Sequence, residues 1–593
     1  MANVTQTRLG ALGVAATSLA LLAGCADALQ NPPSTAPETE AGPDFPDMTV
    51  TLMPGGLSSE AFVDVTVEID GQSFAAGEPF LTSPAIFAGV LGAPYGEGDV
   101  APVEASDANG PIPLSRDDNP ADPNNFIYFR RWLADRDTVG PITVHYRAPI
   151  QLVPPTLGAG PPFDLRLNET VVTGAGVTFL VTPDTQDPFD ITIDWDLSEM
   201  PENSIGVSSF GRNRTELKGP PGQLSTAYYM AGPVGRYPTD GEDHPFSAYW
   251  IGEPPFDPVE TMPWSEEVYE AQLDFFGIEN PEPYTFMSRP NPYPGGGGAG
   301  LTNSFMLSYP QDTANLDDIA ITIIHEMSHK WIGGVAGPPG ATSWFSEGMN
   351  VFYTRRVPLK YGLLSPDAFI EDVNKHARRY YTNAINDLPN DQIPYLFWRD
   401  TRVRTLPYDR GSMYFAGEDA RIREASQGER SMDDIFFQID AIREAGEPFT
   451  PEVWEDLIAA ELGDEARTRF QEMMAGAIQI PPSNAFGPCF TREETPSRVF
   501  QLGFDAATLS SEDRIVSGLI EGSTAEAAGL RNGDRILEPV ALEAVQSDPG
   551  RTLTLSVGRG EEQFTLEYLP RGEPTTVYTW TRVDSVDEDE CPL

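Results

Sequence analysis

Val63, Val65, Val67 and Ile69 alternate with Asp64, Thr66 and Glu68, the two-residue period of a strand with one buried face. Ile142-Thr143-Val144-His145-Tyr146 and Ile191-Thr192-Ile193-Asp194-Trp195 repeat the pattern, with Gly, Pro and Asp clusters between such runs. Residues 48–211 are therefore expected to form an N-terminal β-sandwich-like domain or open sheet. After residue 212 the period lengthens. Apolar positions recur at helical spacing in 265–276, 316–332, 344–361, 366–385 and 411–424, which predicts a mainly α region over 212–487. Between two of these runs lies Pro294-Gly295-Gly296-Gly297-Gly298-Ala299-Gly300. Lacking the Lys-Ser/Thr context of a phosphate loop, it reads as flexible backbone beside an edge strand over 301–309. From 488 to 593 short strands return around Leu502-Gly503-Phe504, 528–537 and 551–557, marking a small β-rich module.

The N-terminus follows another rule. Arg8 precedes an apolar stretch over 9–23 that is shorter than the ~20 residues needed to span a bilayer, and it ends in Leu22-Ala23-Gly24-Cys25. This is how a secretory signal ends, and the string resembles the lipobox of bacterial lipoproteins, which implies a signal peptide over 1–24 and lipidation of Cys25. Residues 25–47, rich in Pro, Thr, Glu and Ala, should be a flexible tether. The expected location is the bacterial cell envelope, lipid-anchored on a periplasmic face or the outer membrane. An exported chain meets an oxidising compartment, so the two other cysteines, Cys489 and Cys591, are expected to pair.

A length of 593 residues exceeds one hydrophobic core and points to several domains. The chain carries 89 Asp plus Glu against 38 Lys plus Arg, a formal charge of −51. Such a balance argues against nucleic acid as a partner and fits a solvated acidic surface suited to a saline habitat.

The chemistry concentrates in His325-Glu326-Met327-Ser328-His329, inside the helical run 316–332, with Asn315 and Asp318 placed as caps and Gly333-Gly334 at the stop. Positions i and i+4 share a helix face, so both imidazoles can bind one Zn²⁺ while Glu326 serves as general base. The few cysteines lie far away in sequence, and a catalytic site needs a third ligand with one position left open. Glu347, in Trp344-Phe345-Ser346-Glu347-Gly348-Met349-Asn350, is the candidate, because the Gly/Pro-rich turn before it lets a second helix return to the metal. Asp367 and Glu371 are the alternatives.

Two His followed by a Glu on the next helix resembles the gluzincin metallopeptidases. The domain order and the motifs at 325–331, 344–353 and Leu406-Pro407-Tyr408-Asp409-Arg410-Gly411 resemble the glycyl aminopeptidase family. That resemblance implies a thermolysin-like catalytic domain over 212–487, a PDZ domain over 488–593, one Zn²⁺ and peptide or protein substrates. It also implies that Tyr408 donates to the oxyanion, with Arg410 where the family has Lys; Tyr414 competes for the role. Leu502, Gly503 and Phe504 fall where a PDZ domain binds a peptide carboxylate, although 538–549 is short for the groove helix. The family's edge-strand Glu and His are missing from Gly298-Ala299-Gly300-Leu301-Thr302-Asn303-Ser304. Aminopeptidase-like action is the reading chosen, with an envelope quality-control endopeptidase and a non-catalytic peptide-binding lipoprotein as alternatives.

Overall fold

The computed structural model describes residues 45–591 apart from 59, 119–126, 151–160, 241–243, 293–294, 311–312, 338–340, 398–399, 584 and 587–590. The signal peptide, Cys25 and the tether up to residue 44 lie outside the described residues. Among the described residues no helix is long and apolar enough to cross a membrane.

The alternating segments form strands as expected: Phe62–Asp70, Ile142–Pro149 and Phe189–Trp195 bury every second residue. They belong to a seven-stranded sheet, counted among the described residues, in which Asp47–Gly55 lies between Phe62–Asp70, antiparallel, and Phe189–Trp195, parallel. The inward residues Val50, Val65, Val67, Val144 and Ile193 meet Phe80, Leu81, Phe179 and Tyr229 from the facing sheets in one core. The β region runs past the expected limit of 211. Thr215–Gly219 pairs with Phe189–Trp195, and Tyr228–Gly232 pairs with Val171–Ala175 and Ile205–Ser208. The ladders of these strands pair within the N-terminal sheets, so the architecture changes near residue 233.

A further sheet follows in the order Val234–Tyr237, Phe246–Ile251, Tyr284–Pro290, Ser304–Tyr309, Gly297–Leu301. Its edge is the glycine run itself, which corrects the expected flexible loop. Gly297–Leu301 pairs antiparallel with Ser304–Tyr309. The glycines serve close approach rather than mobility, since a Cβ on Gly296 would lie 2.1 Å from Pro310 Cδ and one on Gly298 would lie 2.3 Å from Glu326 Cγ.

Pro258–Phe276 connects two strands of this sheet, and the helices Ala320–Ile332, Ser343–Lys360, Pro366–Thr382, Leu406–Ala425, Pro451–Leu462 and Asp464–Met474 follow it. Trp344, Phe345, Tyr353, Phe415, Trp454 and Phe470 are buried in their large aromatic core. The helix carrying the His motif begins four residues later than the pattern predicts. Asp318 accepts from the amides of Ala314 and Asn315, and Asn315 accepts from Asp318, so this pair closes a turn and leaves Ile319 as an uncapped start.

At the C-terminus, strands Arg535–Ile536, Leu553–Arg559 and Glu562–Tyr568 form a small sheet over its own core of Leu502, Phe504, Val516, Leu530, Ile536 and Leu555. A long two-stranded ribbon, Phe490–Phe500 with Arg571–Arg582, joins this module to the helical region. Phe490, Val577 and Trp580 pack into the helical core. Cys489 and Cys591 are disulfide-bonded at the ribbon's base, with Cα atoms 5.2 Å apart.

Candidate active site

His325 and His329, one turn apart on Ala320–Ile332, present Nε2 atoms 3.2 Å from each other. Glu347 Oε2, on Ser343–Lys360, lies 3.5 Å from His325 Nε2 and 3.6 Å from His329 Nε2. For metal bonds of about 2.0–2.1 Å, adjacent donors of a tetrahedral Zn²⁺ stand about 3.3–3.4 Å apart, so this triangle has the size of one face of such a site. Burial, with the positive charges of Arg355 and Lys375, holds His325 down at about 3, and burial and His325 hold His329 well below its ordinary value. Both imidazoles are therefore neutral, the form that binds metal.

The Glu347 helix builds the site with one face. Three and seven residues after Glu347, the Asn350 amide donates to the His325 carbonyl at 3.0 Å, and the Thr354 hydroxyl lies 3.4 Å from His325 Nδ1. The opposite side of the motif helix is held by Gln272, which donates to Ser328 Oγ at 2.8 Å and accepts from Trp331 Nε1 at 2.9 Å.

Glu326 is buried, and burial raises its carboxyl well above the usual range. Neither of its oxygens makes a hydrogen bond of ordinary geometry, and the facing Gly300 amide offsets the shift only in part. A buried carboxylate left this way in a native fold calls for a missing partner. The donor set, its spacing and this orphan carboxylate together fit a Zn²⁺ with a water beside it.

Tyr408 enters from the first turn of Leu406–Ala425. Its ring lies 5.9 Å from the His325 ring at 29°, and its hydroxyl bonds to Glu347. Burial, then the Glu347 and Glu326 charges, raise its pKa well above 10, so it remains a donor. The approach depends on two glycines: a Cβ on Gly348 would lie 2.5 Å from Gly411 Cα, and one on Gly411 would lie 2.4 Å from the Trp344 carbonyl. The two helices thus cross without side chains between them.

The remaining candidates stand elsewhere. Asp367 and Glu371 are exposed and lie against Arg582 and Arg378. Tyr414 accepts from Trp454 Nε1 at 3.0 Å within the aromatic core. Arg410 turns away and donates to the carbonyls of Asn386 and Leu388. Leu502 and Phe504 point into the module core, and Gly503, at φ +91°, is pressed against Ala525 and Ser523. The residues after them do not extend as the strand a peptide would join. Asp505 accepts from the Ala507 amide and starts a one-turn helix, Ala507–Ser510. Sequence reasoning missed Asn350 and Thr354, although their i+3 and i+7 spacing from Glu347 was a usable signal.

Comparison with known proteins finds no protein-family model and no curated protein that matches the sequence. Solved structures do match. An aminopeptidase N family protein from Idiomarina loihiensis is similar over 92% of this chain and 99% of its own, with 14% identity and a TM-score of 0.62. An M1 zinc metallopeptidase from Deinococcus radiodurans covers 74% of this chain and 97% of its own, at 15% identity and a TM-score of 0.44. Leukotriene A4 hydrolase from Saccharomyces cerevisiae covers 74% and 68%, at 14% and 0.44. The first likeness shows a shared multidomain fold, with a β-rich N-terminal part and a helical part behind it; the other two add no argument.

Proposed function

We propose that the chain is a zinc-dependent metallopeptidase with aminopeptidase-like action on peptide substrates. The observation that carries this reading is the His325–His329–Glu347 triangle of donors, 3.2 to 3.6 Å on a side, with a buried unpartnered carboxylate next to it. Zn²⁺ held by these three residues would polarise a peptide carbonyl and make water a stronger acid. Glu326 then takes a proton from the attacking water and returns it to the departing amine nitrogen. The Tyr408 hydroxyl donates to the carbonyl oxygen as negative charge grows there. The glycine edge strand leaves a side-chain-free face beside Glu326 along which a peptide backbone can lie.

A panel of chromogenic amino-acid amides, assayed with and without a chelator, tests the reading. Hydrolysis that a chelator abolishes and added zinc restores supports it, and hydrolysis indifferent to chelation counts against it. Endopeptidase action is a second reading, favoured by one observation: residues 297–304 carry no carboxylate to hold a substrate amine. Cleavage of N-terminally blocked peptides, with the free amides inert, would select it.

The proposal extends to the ends of the chain. The C-terminal module is read as PDZ-like from its strand and motif order, and the N-terminus as a lipoprotein signal with Cys25 as the lipidated residue. Cys25→Ala should move the protein from the membrane to the soluble fraction.

A further inference from the structure

Behind Tyr408 lies a chain of buried charges that the proposed chemistry does not use. Asp409, the residue after Tyr408, is fully buried, and Arg379 donates to it through Nε at 2.8 Å and Nη2 at 2.6 Å. His376 Nδ1 lies 2.8 Å from the same carboxylate. The other arm of Arg379 reaches out of the helical region: Nη1 donates to Glu543 Oε1 at 2.6 Å. Glu543 opens the short helix Glu543–Ser547 of the C-terminal module. Arg571 fixes that helix within the module by donating to the carbonyls of Val545 and Asp548. One guanidinium therefore joins a carboxylate beside the oxyanion donor to a carboxylate on another structural unit. Removing Glu543 would leave the Nη1 arm of Arg379, which is 1% exposed in its side chain, without the carboxylate it donates to, and Asp409 would be left to hold the guanidinium.

We infer that Glu543 is a positioning residue for Tyr408: the docked C-terminal module holds Arg379, Arg379 holds Asp409, and Asp409 sets the first turn of the helix that aims the Tyr408 hydroxyl. The position is specific. The Asn374 side-chain amide donates to the Trp580 carbonyl and accepts from the Trp580 N–H, and Arg378 donates to the Ser547 carbonyl at 3.1 Å. Those contacts dock the module without touching Asp409. The short helix that would flank a peptide groove is turned onto Pro366–Thr382 instead, so the module acts on the active site through its own carboxylate. Arg404, buried and within electrostatic reach of Glu543, Tyr408 and Arg379, lies along the same route.

The inference rests on the peptidase reading for its kinetic arm only. In the full chain, Glu543→Gln should lower kcat about tenfold on an amide substrate while KM and zinc content stay as in wild type; Glu543→Asp should recover part of the loss. Arg378→Ala, which removes a neighbouring docking contact, should leave kcat unchanged. In a Tyr408→Phe background, Glu543→Gln should cost nothing further, because the hydroxyl it positions is gone. Hydrogen exchange over residues 405–412 in metal-free protein gives a readout independent of activity, with faster exchange in Glu543→Gln and wild-type exchange in Arg378→Ala. Unchanged kcat and exchange in Glu543→Gln, or an equal effect from Arg378→Ala, would overturn the inference. If every amide and every blocked peptide proves inert yet 405–412 loosens in Glu543→Gln, the peptidase reading fails and the coupling of module to helix stands.

Discussion

At the scale of single residues, the site depends on groups whose ordinary behaviour burial has altered. His325 is the clearest case. Its folded pKa is about 3, against about 6.5 for an unfolded histidine. Between these values the unfolded chain binds more protons than the folded one, so this group's stability contribution is full above pH ~6.5 and is lost as pH falls toward 3. Urea unfolding of metal-free protein at pH 7.5 and pH 5 should therefore show a loss that is smaller in His325→Gln, by about 2 kcal/mol on the linkage arithmetic. The raised carboxyl of Glu326 acts with the opposite sign but is present in both proteins. Equal losses would mean that His325 titrates normally. The third ligand is tested as directly: Glu347→Ala should sharply lower zinc content, and Glu371→Ala should leave it at the wild-type level. Metal analysis of the two purified variants decides between the buried carboxylate at the two imidazoles and the exposed one paired with Arg378.

At the scale of elements, the sequence disclosed what periodicity encodes and hid what depends on distant partners. The helix over 344–361 is legible because apolar residues lie on every turn, and Ser343–Lys360 matches it within a residue. The helix over 411–424 in fact starts at Leu406, with Pro407 in its first turn. The added turn, Leu406-Pro407-Tyr408-Asp409-Arg410, mixes apolar and charged residues behind a proline and gives no periodic signal, yet it is the part that matters for chemistry. The glycine run was misread for a related reason. Glycine announces backbone freedom locally, whereas here it answers to Glu326 on another element, invisible to a local pattern. That account makes a prediction: Gly298→Ala places a methyl group in the space of Glu326 Cγ and should reduce turnover by one to two orders of magnitude, consistent with loss of a positioned base. Gly300→Ala meets its nearest atoms at 3.5 and 3.6 Å and should be tolerated. Kinetics on the two variants at matched zinc content separate a shaped strand from a merely flexible one.

At the scale of the whole molecule, three units contribute residues to the site and its supports. The β-rich N-terminal part braces the edge strand, since Tyr228 donates to the Ala299 carbonyl at 3.1 Å and Thr226 accepts the Thr302 amide. The helices supply the donors and the base. The C-terminal module, returned by its ribbon, supplies Glu543. Its base is closed by the Cys489–Cys591 disulfide, spanning 102 residues. The pairing was legible from the thiol count and the expectation of export, whereas the contact of Glu543 with Arg379, 164 residues apart, had no sequence signal. By the chain-entropy relation a loop of this length contributes up to about 4–5 kcal/mol, so Cys489→Ser with Cys591→Ser should lower the thermal midpoint of the module, read by calorimetry under oxidising conditions. An unchanged midpoint would show that packing of the ribbon on the helices suffices. The central claim is that one buried carboxylate between two metal-binding imidazoles performs the proton transfers of peptide hydrolysis, and the most direct measurement is zinc content and kcat/KM on the same preparation of Glu326→Gln. The account predicts one zinc per chain, as in wild type, with turnover reduced at least ~10²-fold; near-normal hydrolysis by zinc-loaded Glu326→Gln would contradict it.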